Sequence, residues 1–347
     1  MYQSLIVPQN YKSRLDLKET EKGIRGIKEF FQINLAESLN LLRVSAPLFV
    51  KAGVGINDDL NGTEKPVAFE TGGNFRERIE IVQSLAKWKR MMLKDYGLNA
   101  GEGIYTDMNA IRPDEHVDNL HSIYVDQWDW ERRIGEGERN LDFLKYMVRK
   151  IYNVLRRTEM YIYDRFLIKP ILPEEITFIH SEELLQEYPK LSAMDREKEA
   201  ARKYGAIFVI GIGGELSDGS IHDGRAPDYD DWTSVTDRER GYCGLNGDII
   251  LWSPILERNY EVSSMGIRVD REALLRQLKI RKAEGRQNLW WHQRLLQGEL
   301  PLSIGGGIGQ SRLCMFFLRK AHIGEVQSSC WPEEMRKLCC ENNIFLL

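Results

Sequence analysis

Two segments of the sequence place an arginine and several oxygen-bearing side chains at strand spacing. The first ends in Ile-Arg-Pro at residues 111–113, and after a polar loop the second, residues 124–131, reads Tyr-Val-Asp-Gln-Trp-Asp-Trp-Glu. Because side chains alternate between the two faces of a strand, Gln127, Asp129 and Glu131 lie on the face opposite the tryptophans. A hairpin of these segments brings a guanidinium close to an amide and two carboxylates. Such a set suits an anionic substrate that is held on a sheet.

A simpler interpretation of the same segments is an antiparallel hairpin with one face in water, where polar residues need no function. Spacing alone favours this interpretation, because amphipathic strands are common and polar-lined clefts are not.

Composition sets the class of protein. The chain has 347 residues, 42% of them hydrophobic and 29% charged, which is enough to bury a sizeable core in one large domain or two smaller ones. A net charge of -4 gives no basic surface for extensive contact with nucleic acid. We expect no membrane segment and a cytoplasmic location, because there is no run of about eighteen apolar residues and no signal-like start. The five cysteines form no C-x-x-C pair and are expected to be reduced packing thiols.

The motifs around the hairpin favour the functional interpretation. Arg112-x-x-Glu115, His121 and residues 127–131 resemble the second signature motif of class II aminoacyl-tRNA synthetases. More closely, residues 124–131 resemble the ammonia-dependent asparagine synthetases, the aspartate–ammonia ligase family, which is related to those synthetases. The resemblance covers essentially the whole chain.

Two other segments are similar to the same ligase family. Residues 84–90 read Ser-Leu-Ala-Lys-Trp-Lys-Arg, and residues 225–232 read Arg-Ala-Pro-Asp-Tyr-Asp-Asp-Trp. Without the resemblance, the first would be a solvated helix face and the second a surface loop. The sequence departs from the family at Gln83, where His is expected. A proton transfer assigned to that position is therefore not carried over to this chain.

A glycine-rich segment near the C-terminus, Gly-Gly-Gly-Ile-Gly-Gln-Ser-Arg at residues 305–312, precedes an apolar helical run. It lacks the Gly-Lys-Ser/Thr of a P-loop and is similar to the third class II motif, in which glycines let a strand approach a flat ligand closely. Residues 260–268 resemble a Glu-containing strand of the synthetases for acidic and amide amino acids. Residues 211–214 form only part of a dinucleotide fingerprint, so a Rossmann site is not expected.

Hydrophobic periodicity predicts the elements that position these motifs. Apolar residues recur at helical spacing over about residues 16–42 and 141–166, and alternating or apolar runs predict strands at 78–82, 176–180, 206–212, 247–254 and 260–268. Residues 57–62 are expected to form a turn. The resemblance implies an α+β fold in which an antiparallel β-sheet is flanked by helices, as in the class II synthetase catalytic core. We expect one catalytic domain, residues 1–347, with a helical and strand insert at about 136–215.

The resemblance also implies an activity. The expected enzyme is an ATP-dependent ligase that converts L-aspartate and ammonia to L-asparagine through β-aspartyl-AMP, releasing AMP and pyrophosphate. It would use ATP and Mg²⁺ and act as a homodimer without nucleic acid or membrane partners. Two alternatives are an aminoacyl-tRNA synthetase paralogue that activates aspartate or asparagine for another acceptor, and a non-catalytic synthetase-like protein. A non-catalytic protein would typically lack Arg112, Glu261 or Arg312, all of which are present.

Site residues follow from the matched motifs. Catalytic roles fall to Arg112, Gln127 and Arg312. The expected substrate-binding residues are Asp58, Ser84, Lys89, Asp129, Asp230 and Ser264. The expected adenylate-lining residues are Leu120, His121, Ser122 and Val262, together with Arg312. Asp248 and Glu261 would hold Mg²⁺, a role suited to hard oxygen ligands on a fixed sheet; their wide separation leaves open that one of them faces the amino acid.

Overall fold

We describe residues 5–58, 60 and 64–347 in a computed structural model of the chain. The helices are α1 (Leu17–Leu39), α2 (Ala86–Asp95), α3 (Leu141–Phe166), α4 (Ser181–Glu187), α5 (Ala193–Tyr204), α6 (Arg271–Ile280), α7 (Trp290–Leu296), α8 (Gln310–Phe317) and α9 (Glu333–Glu341). The strands are β1 (Leu41–Arg43), β2 (Phe49–Lys51), β3 (Ala68–Glu70), β4 (Arg78–Ile81), β5 (Gly103–Ile111), β6 (Tyr124–Arg133), β7 (Thr177–His180), β8 (Ala206–Ile210), β9 (Val235–Asp237), β10 (Tyr242–Cys243), β11 (Asn246–Ser253), β12 (Arg258–Ile267) and β13 (Ser303–Gly309).

A central sheet of eight strands organises the fold, in the order β1-β5-β6-β13-β12-β11-β8-β7. Its inner pairs are antiparallel, which confirms the predicted α+β fold. The outermost pair at each edge, β1 with β5 and β7 with β8, is parallel. Parallel neighbours need a crossover, and α4 and α5 supply it between β7 and β8. Two small sheets, β2-β4-β3 and β10-β9, lie outside the central one.

The stretch predicted as an insert, about residues 136–215, adds β7 and β8 to one edge of the central sheet. Its helix α4 begins at Ser181, but the residue that caps it is His180, whose side chain accepts the N–H of Glu182. The division of the chain into a domain and an insert stays a prediction.

One face of the central sheet is covered by α1, α3 and α8 and forms the main core. Trp128 and Trp130 of β6 are fully buried there, and Phe31 of α1 lies 4.7 Å from Trp128 between ring centroids. Helix α1 begins after Asp16, whose side chain accepts the N–H of Glu19, and ends at Leu39. The predicted helix reached residue 42 because an apolar spacing cannot register the left-handed cap at Asn40.

The opposite face of the sheet carries α2 and a layer of polar side chains. Lys87, Lys89 and Arg90 of α2 are 3%, 1% and 1% exposed, so the cationic helix face is buried rather than solvated. The β5–β6 hairpin predicted from sequence is present, with Ile111 opposite Tyr124. Its tryptophans lie in the core, and its amide and carboxylates lie on the α2 side.

A β-bulge shapes the second half of the sheet. Strands β11 and β12 pair antiparallel, with Asp248 opposite Ser264 and Ile250 opposite Glu261. The register shifts between Ile249 and Ile250, so that β12 contributes one residue more than β11 at this point. Such a bulge redirects side chains. It places Glu261 on the face of Ser264 although the two are an odd number of residues apart.

Among the helices that the structure describes, none is both long and apolar enough to cross a membrane.

Candidate active site

A cavity of about 380 Å³ opens on the polar face of the sheet. It lies between the β5–β6 loop, strands β12 and β13, and the loop after residue 222. The predicted site residues that line it are Arg112, Leu120, His121, Ser122, Gln127, Glu261, Val262, Ser264 and Arg312. Its size is that of a small-molecule site. The structure therefore brings most of the predicted catalytic and adenylate residues to one place.

Two arginines, Arg112 and Arg312, line this cavity. Arg312 of α8 donates from Nη1 to the backbone oxygen of Glu261 at 3.0 Å and to its Oε2 at 3.2 Å. Arg112 begins the β5–β6 loop, with Nη1 4.0 Å from Glu115. Its Nε is buried and has no hydrogen-bond partner among residues 5–58, 60 and 64–347. Buried donors are rarely left unpaired, so Arg112 is poised for an anionic ligand.

The glycines of β13 make room for side chains of β6. A Cβ on Gly307 would lie 2.3 Å from Oε1 of Gln127, and one on Gly305 would lie 2.0 Å from Oε2 of Glu131. Sequence had explained these glycines by a flat ligand. In the structure they are also required by the protein's own polar side chains, which cross the strand to reach the α2 side.

Two carboxylates at the bulge share the polar face. Asp248 pairs with Arg225, while Glu261 pairs with Arg312. Burial, and then the nearby charge of Glu261, raise the pKa of Asp248 to about 7. Burial would also raise the pKa of Glu261, but Arg312 and Arg225 outweigh it and lower that pKa. Two hard oxygen donors on one face of the sheet suit a divalent cation.

Within the described part of the chain, no group of three or more His, Cys, Asp or Glu residues could hold a metal ion. A cation at Asp248 and Glu261 would therefore need oxygens from a ligand or water. This is the usual condition of Mg²⁺, which keeps several waters and binds through one or two carboxylates and substrate phosphates.

Several predicted substrate contacts do not line the cavity but lie in the buried layer beneath it. Lys89 Nζ is 2.8 Å from Oδ1 of Asp129 and donates to the backbone oxygen of Gly306 at 3.1 Å. Burial lowers the pKa of Lys89. Arg268 links Glu131, at 2.8 Å, to Asp230. In this arrangement the charges pair with one another, and only Oδ2 of Asp129 in this group is buried without a hydrogen-bond partner among the described residues.

The remaining predicted residues are placed as follows. Ser84 precedes α2, and its hydroxyl accepts the N–H of Ala86 at 3.1 Å, so it helps to begin the helix rather than line the cavity. Asp58 is 3% exposed and accepts the side-chain N–H of Gln83 at its backbone oxygen. The predicted turn continues through Asp59, Asn61 and Gly62, which lie outside the described residues.

The loop of residues 225–232 is much more buried than its composition suggests. Its carboxylates suggested a solvated surface, yet Asp228, Asp230 and Asp231 are at most 1% exposed. Asp228 contacts Lys87 at 3.2 Å and His292 at 2.9 Å. Burial opposes its charge, but these basic neighbours hold the pKa of Asp228 well below its usual range.

Several cavity-lining residues were not assigned to the site from sequence, among them Arg225, Tyr229 and Gln83. The signal for the first two was the match of residues 225–232 to the ligase family. For Gln83 the signal was its departure from that family.

His121 is oriented by Asp118. Its Nδ1 lies 2.8 Å from Oδ1 of Asp118, and because a carboxylate only accepts, this nitrogen carries a proton. Arg258 lies 3.5 Å from the other oxygen of the same carboxylate. Burial would raise the pKa of Asp118, but His121 outweighs it and the pKa is lowered. The imidazole therefore reaches the cavity with its tautomer set.

Comparison with known proteins gives the family of the chain. The family model described as aspartate-ammonia ligase matches residues 18–343. An aspartate–ammonia ligase of Parabacteroides distasonis is 60% identical over 334 residues, 96% of either chain. One from Clostridium perfringens is 56% identical over 346 residues, covering 99% of this chain and all of the relative.

Solved structures agree in fold. Asparaginyl-tRNA synthetase of Entamoeba histolytica in complex with asparaginyl-adenylate superposes with a TM-score of 0.64 at 13% identity, over 91% of this chain and 69% of that one. The enzyme of Pyrococcus horikoshii complexed with asparaginyl-adenylate gives 0.63 at 15% identity, over 90% and 70%. At this identity the likeness concerns the fold alone, the class II synthetase core. With the family model matching nearly its full length, the chain belongs to the aspartate–ammonia ligase family.

Proposed function

We propose that this protein joins L-aspartate and ammonia to form L-asparagine, with ATP converted to AMP and pyrophosphate. The observation that carries the proposal is the cavity in which Arg112, Gln127 and Arg312 meet, in a chain of this ligase family. A pocket lined by guanidiniums, with buried carboxylates in the layer beneath it, suits a phosphorylated and an acidic substrate together.

In the first step, an oxygen of the side-chain carboxylate of aspartate attacks the α-phosphorus of ATP. The bond between that phosphorus and the β-bridging oxygen breaks, leaving β-aspartyl-AMP and pyrophosphate. Arg112 and Arg312 offset the charge that develops on the α-phosphate oxygens. Arg112 suits this role because its Nε is buried and unpartnered in the described part of the chain. Donors fixed before the reaction cost no reorganisation in the transition state.

In the second step, the lone pair of ammonia attacks the carbonyl carbon of the adenylate. The bond between this carbon and the phosphate oxygen breaks, AMP leaves, and the nitrogen gives up one proton. Gln127, whose amide lines the cavity beside Gly307, is placed to orient the reacting carboxyl group.

Asp248 and Glu261 are the residues that would hold Mg²⁺. Their shared face, and the raised pKa of Asp248 caused by burial and by Glu261, fit a divalent cation. When bound there with ATP, the ion would neutralise charge on the departing pyrophosphate. The residues themselves fix two oxygens at the bulge, and Arg225 and Arg312 hold those oxygens in position.

The charged residues buried below the cavity hold the cavity wall in place. The pair of Lys89 and Asp129, and the link of Asp230 to Arg268, support the cavity floor from inside the sheet. Ser264 on β12 lines the cavity and would contact aspartate directly. Lys89, Asp129 and Asp230 keep the cavity wall in place. Asp58 is buried nearby, and its backbone oxygen accepts the side-chain N–H of Gln83.

The homodimer, the lack of a nucleic-acid partner and the cytoplasmic location belong to the same proposal. Exposed aromatic rings on the small β2-β4-β3 sheet, Phe49 and Phe69 with centroids 6.0 Å apart, support an interface between two copies. The net charge of -4 supports a substrate set without RNA.

The experiment that tests the proposal is a product assay. With aspartate, ATP, Mg²⁺ and ammonium, we expect asparagine, AMP and pyrophosphate in equal amounts. Glutamine in place of ammonium should give no asparagine. Release of ADP and phosphate would contradict the adenylate route, and transfer of the amino acid to tRNA would favour the paralogue alternative.

A further inference from the structure

We propose that the side-chain oxygen of Gln83 accepts a hydrogen bond from ammonia and so orients the nucleophile of the second step. This inference rests on the proposed function, because it gives the nucleophile of that reaction a place in the cavity wall.

Gln83 lies between β4 and α2, and its side chain is fully buried although it forms part of the cavity wall. Its backbone N–H donates to Oδ1 of Asn57 at 3.0 Å, and its Nε2 donates to the backbone oxygen of Asp58 at 2.9 Å. Asn57 is itself held by the backbone oxygen of Ile81 at 3.1 Å. Both ends of Gln83 are therefore fixed by the segment before it.

The hydrogen bond to Asp58 decides which way the amide faces. A backbone oxygen only accepts, so the amide presents its NH₂ to Asp58 and its oxygen is directed elsewhere. Oε1 is buried and has no hydrogen-bond partner among the residues that the structure describes. A buried amide oxygen without a donor is unusual, and at a cavity wall it indicates a ligand that donates.

Ammonia meets this requirement in a way that assists the reaction. It has three N–H groups and one lone pair, so an N–H bonded to Oε1 leaves the lone pair free for the adenylate carbon. The nitrogen then forms the C–N bond, the C–O bond to AMP breaks with its electrons going to the phosphate, and the surplus proton goes to solvent. Gln83 takes no proton, since an amide oxygen is not a base near neutral pH.

The α-ammonium group of aspartate is the rival donor in the same cavity. The two are separated by measuring adenylate formation without ammonia, as aspartate-dependent exchange of labelled pyrophosphate into ATP. That exchange involves aspartate but not the nucleophile.

Gln83→Met keeps the length of the side chain and removes its polar atoms. We expect the exchange rate and the KM of aspartate to stay within about twofold of the wild type, while the KM of ammonia rises about tenfold, the factor for one net hydrogen bond. The matched control is Gln297→Met, on the exposed end of α7, which should change neither value. A raised KM of aspartate with an unchanged KM of ammonia would overturn the inference.

Gln83→His is a second variant, with a readout that a purely structural role would not change. Neutral imidazole also offers one N–H and one acceptor, so at pH 8 the KM of NH₃ should stay within about threefold of the wild type. At pH 5.5, about one unit below the ordinary imidazole pKa, the acceptor is protonated and the KM of NH₃ should rise about tenfold, which the wild type should not show.

A flat pH profile for Gln83→His would overturn the inference even if Gln83→Met fails to fold. A wild-type protein that forms adenylate but makes no asparagine from ammonium would instead contradict the proposed function. The two failures are therefore distinguishable.

Discussion

At the scale of single residues, Arg112 has a buried Nε without a hydrogen-bond partner in the described part of the chain, and this donor is available to a ligand. We predict that Arg112→Lys lowers turnover by a factor of about a hundred or more, because lysine cannot supply two parallel donors to a phosphate. The melting temperature should hardly change, since the side chain is 25% exposed and its nearest charged partner, Glu115, is 4.0 Å away. Steady-state kinetics and thermal unfolding measure both.

Arg25→Lys is the control for that exchange, because Arg25 lies on the exposed face of α1 and pairs with Glu29 of the same helix. Its turnover should equal that of the wild type. Near-normal activity of Arg112→Lys would return the β5–β6 hairpin to the simpler interpretation of a strand pair with one face in water.

At the scale of elements, two glycines of strand β13 have different roles. Gly307 affects the active site, and Gly305 affects the stability of the sheet. A Cβ on Gly307 meets the flexible end of Gln127, whereas one on Gly305 meets Glu131 and, at 2.6 Å, Nη2 of Arg268. We predict that Gly307→Ala lowers turnover about tenfold or more with little loss of stability. Gly305→Ala should lower the free energy of unfolding by about 1–3 kcal/mol, as overpacking does.

Gly285→Ala is the matched control for both β13 variants. An added Cβ there meets nothing within 4 Å, and the backbone is not left-handed. It should change neither turnover nor the urea midpoint. If Gly307→Ala were as active as this control, Gln127 would not need its position beside the strand.

At the scale of the whole molecule, Asp228 ties together elements that are distant in sequence. It contacts Lys87 of α2 and His292 of α7 from within the 225–232 loop, and it is fully buried. We predict that Asp228→Asn lowers the free energy of unfolding by about 3–5 kcal/mol at pH 7, since it leaves the buried ammonium of Lys87 without its carboxylate partner. Denaturant titrations across pH measure this difference.

The pH dependence of that loss has a definite sign. The pKa of Asp228 is lower in the folded protein than its ordinary value near 3.9, so its charge stabilises the fold above that pH. The difference between wild type and Asp228→Asn should be full at pH 6–8 and should shrink below about pH 4. Glu29→Gln, in an exposed pair of α1, should show no such difference at any pH. An Asp228→Asn loss that is constant with pH would contradict this account.

Much of the fold follows from local sequence. Period-two alternation places Trp128 and Trp130 on the face opposite Gln127 and Asp129, because a strand has only two faces. Helical periodicity likewise marks α1 and α3, and the order of the motifs along the chain identifies the ligase family. These features depend on neighbours along the chain, and so the sequence by itself determines them.

Tertiary structure alone decided which charges are buried and which reach the cavity. Lys89 and Asp129 are forty residues apart in sequence, and no local pattern shows that burial makes them partners at 2.8 Å. The same holds for Gln83. Its Nε2 donates to the backbone oxygen of Asp58, and this contact leaves Oε1 without a hydrogen-bond partner among the described residues. Charge pairing and desolvation depend on distance in space, and distance in space is set by how the strands assemble.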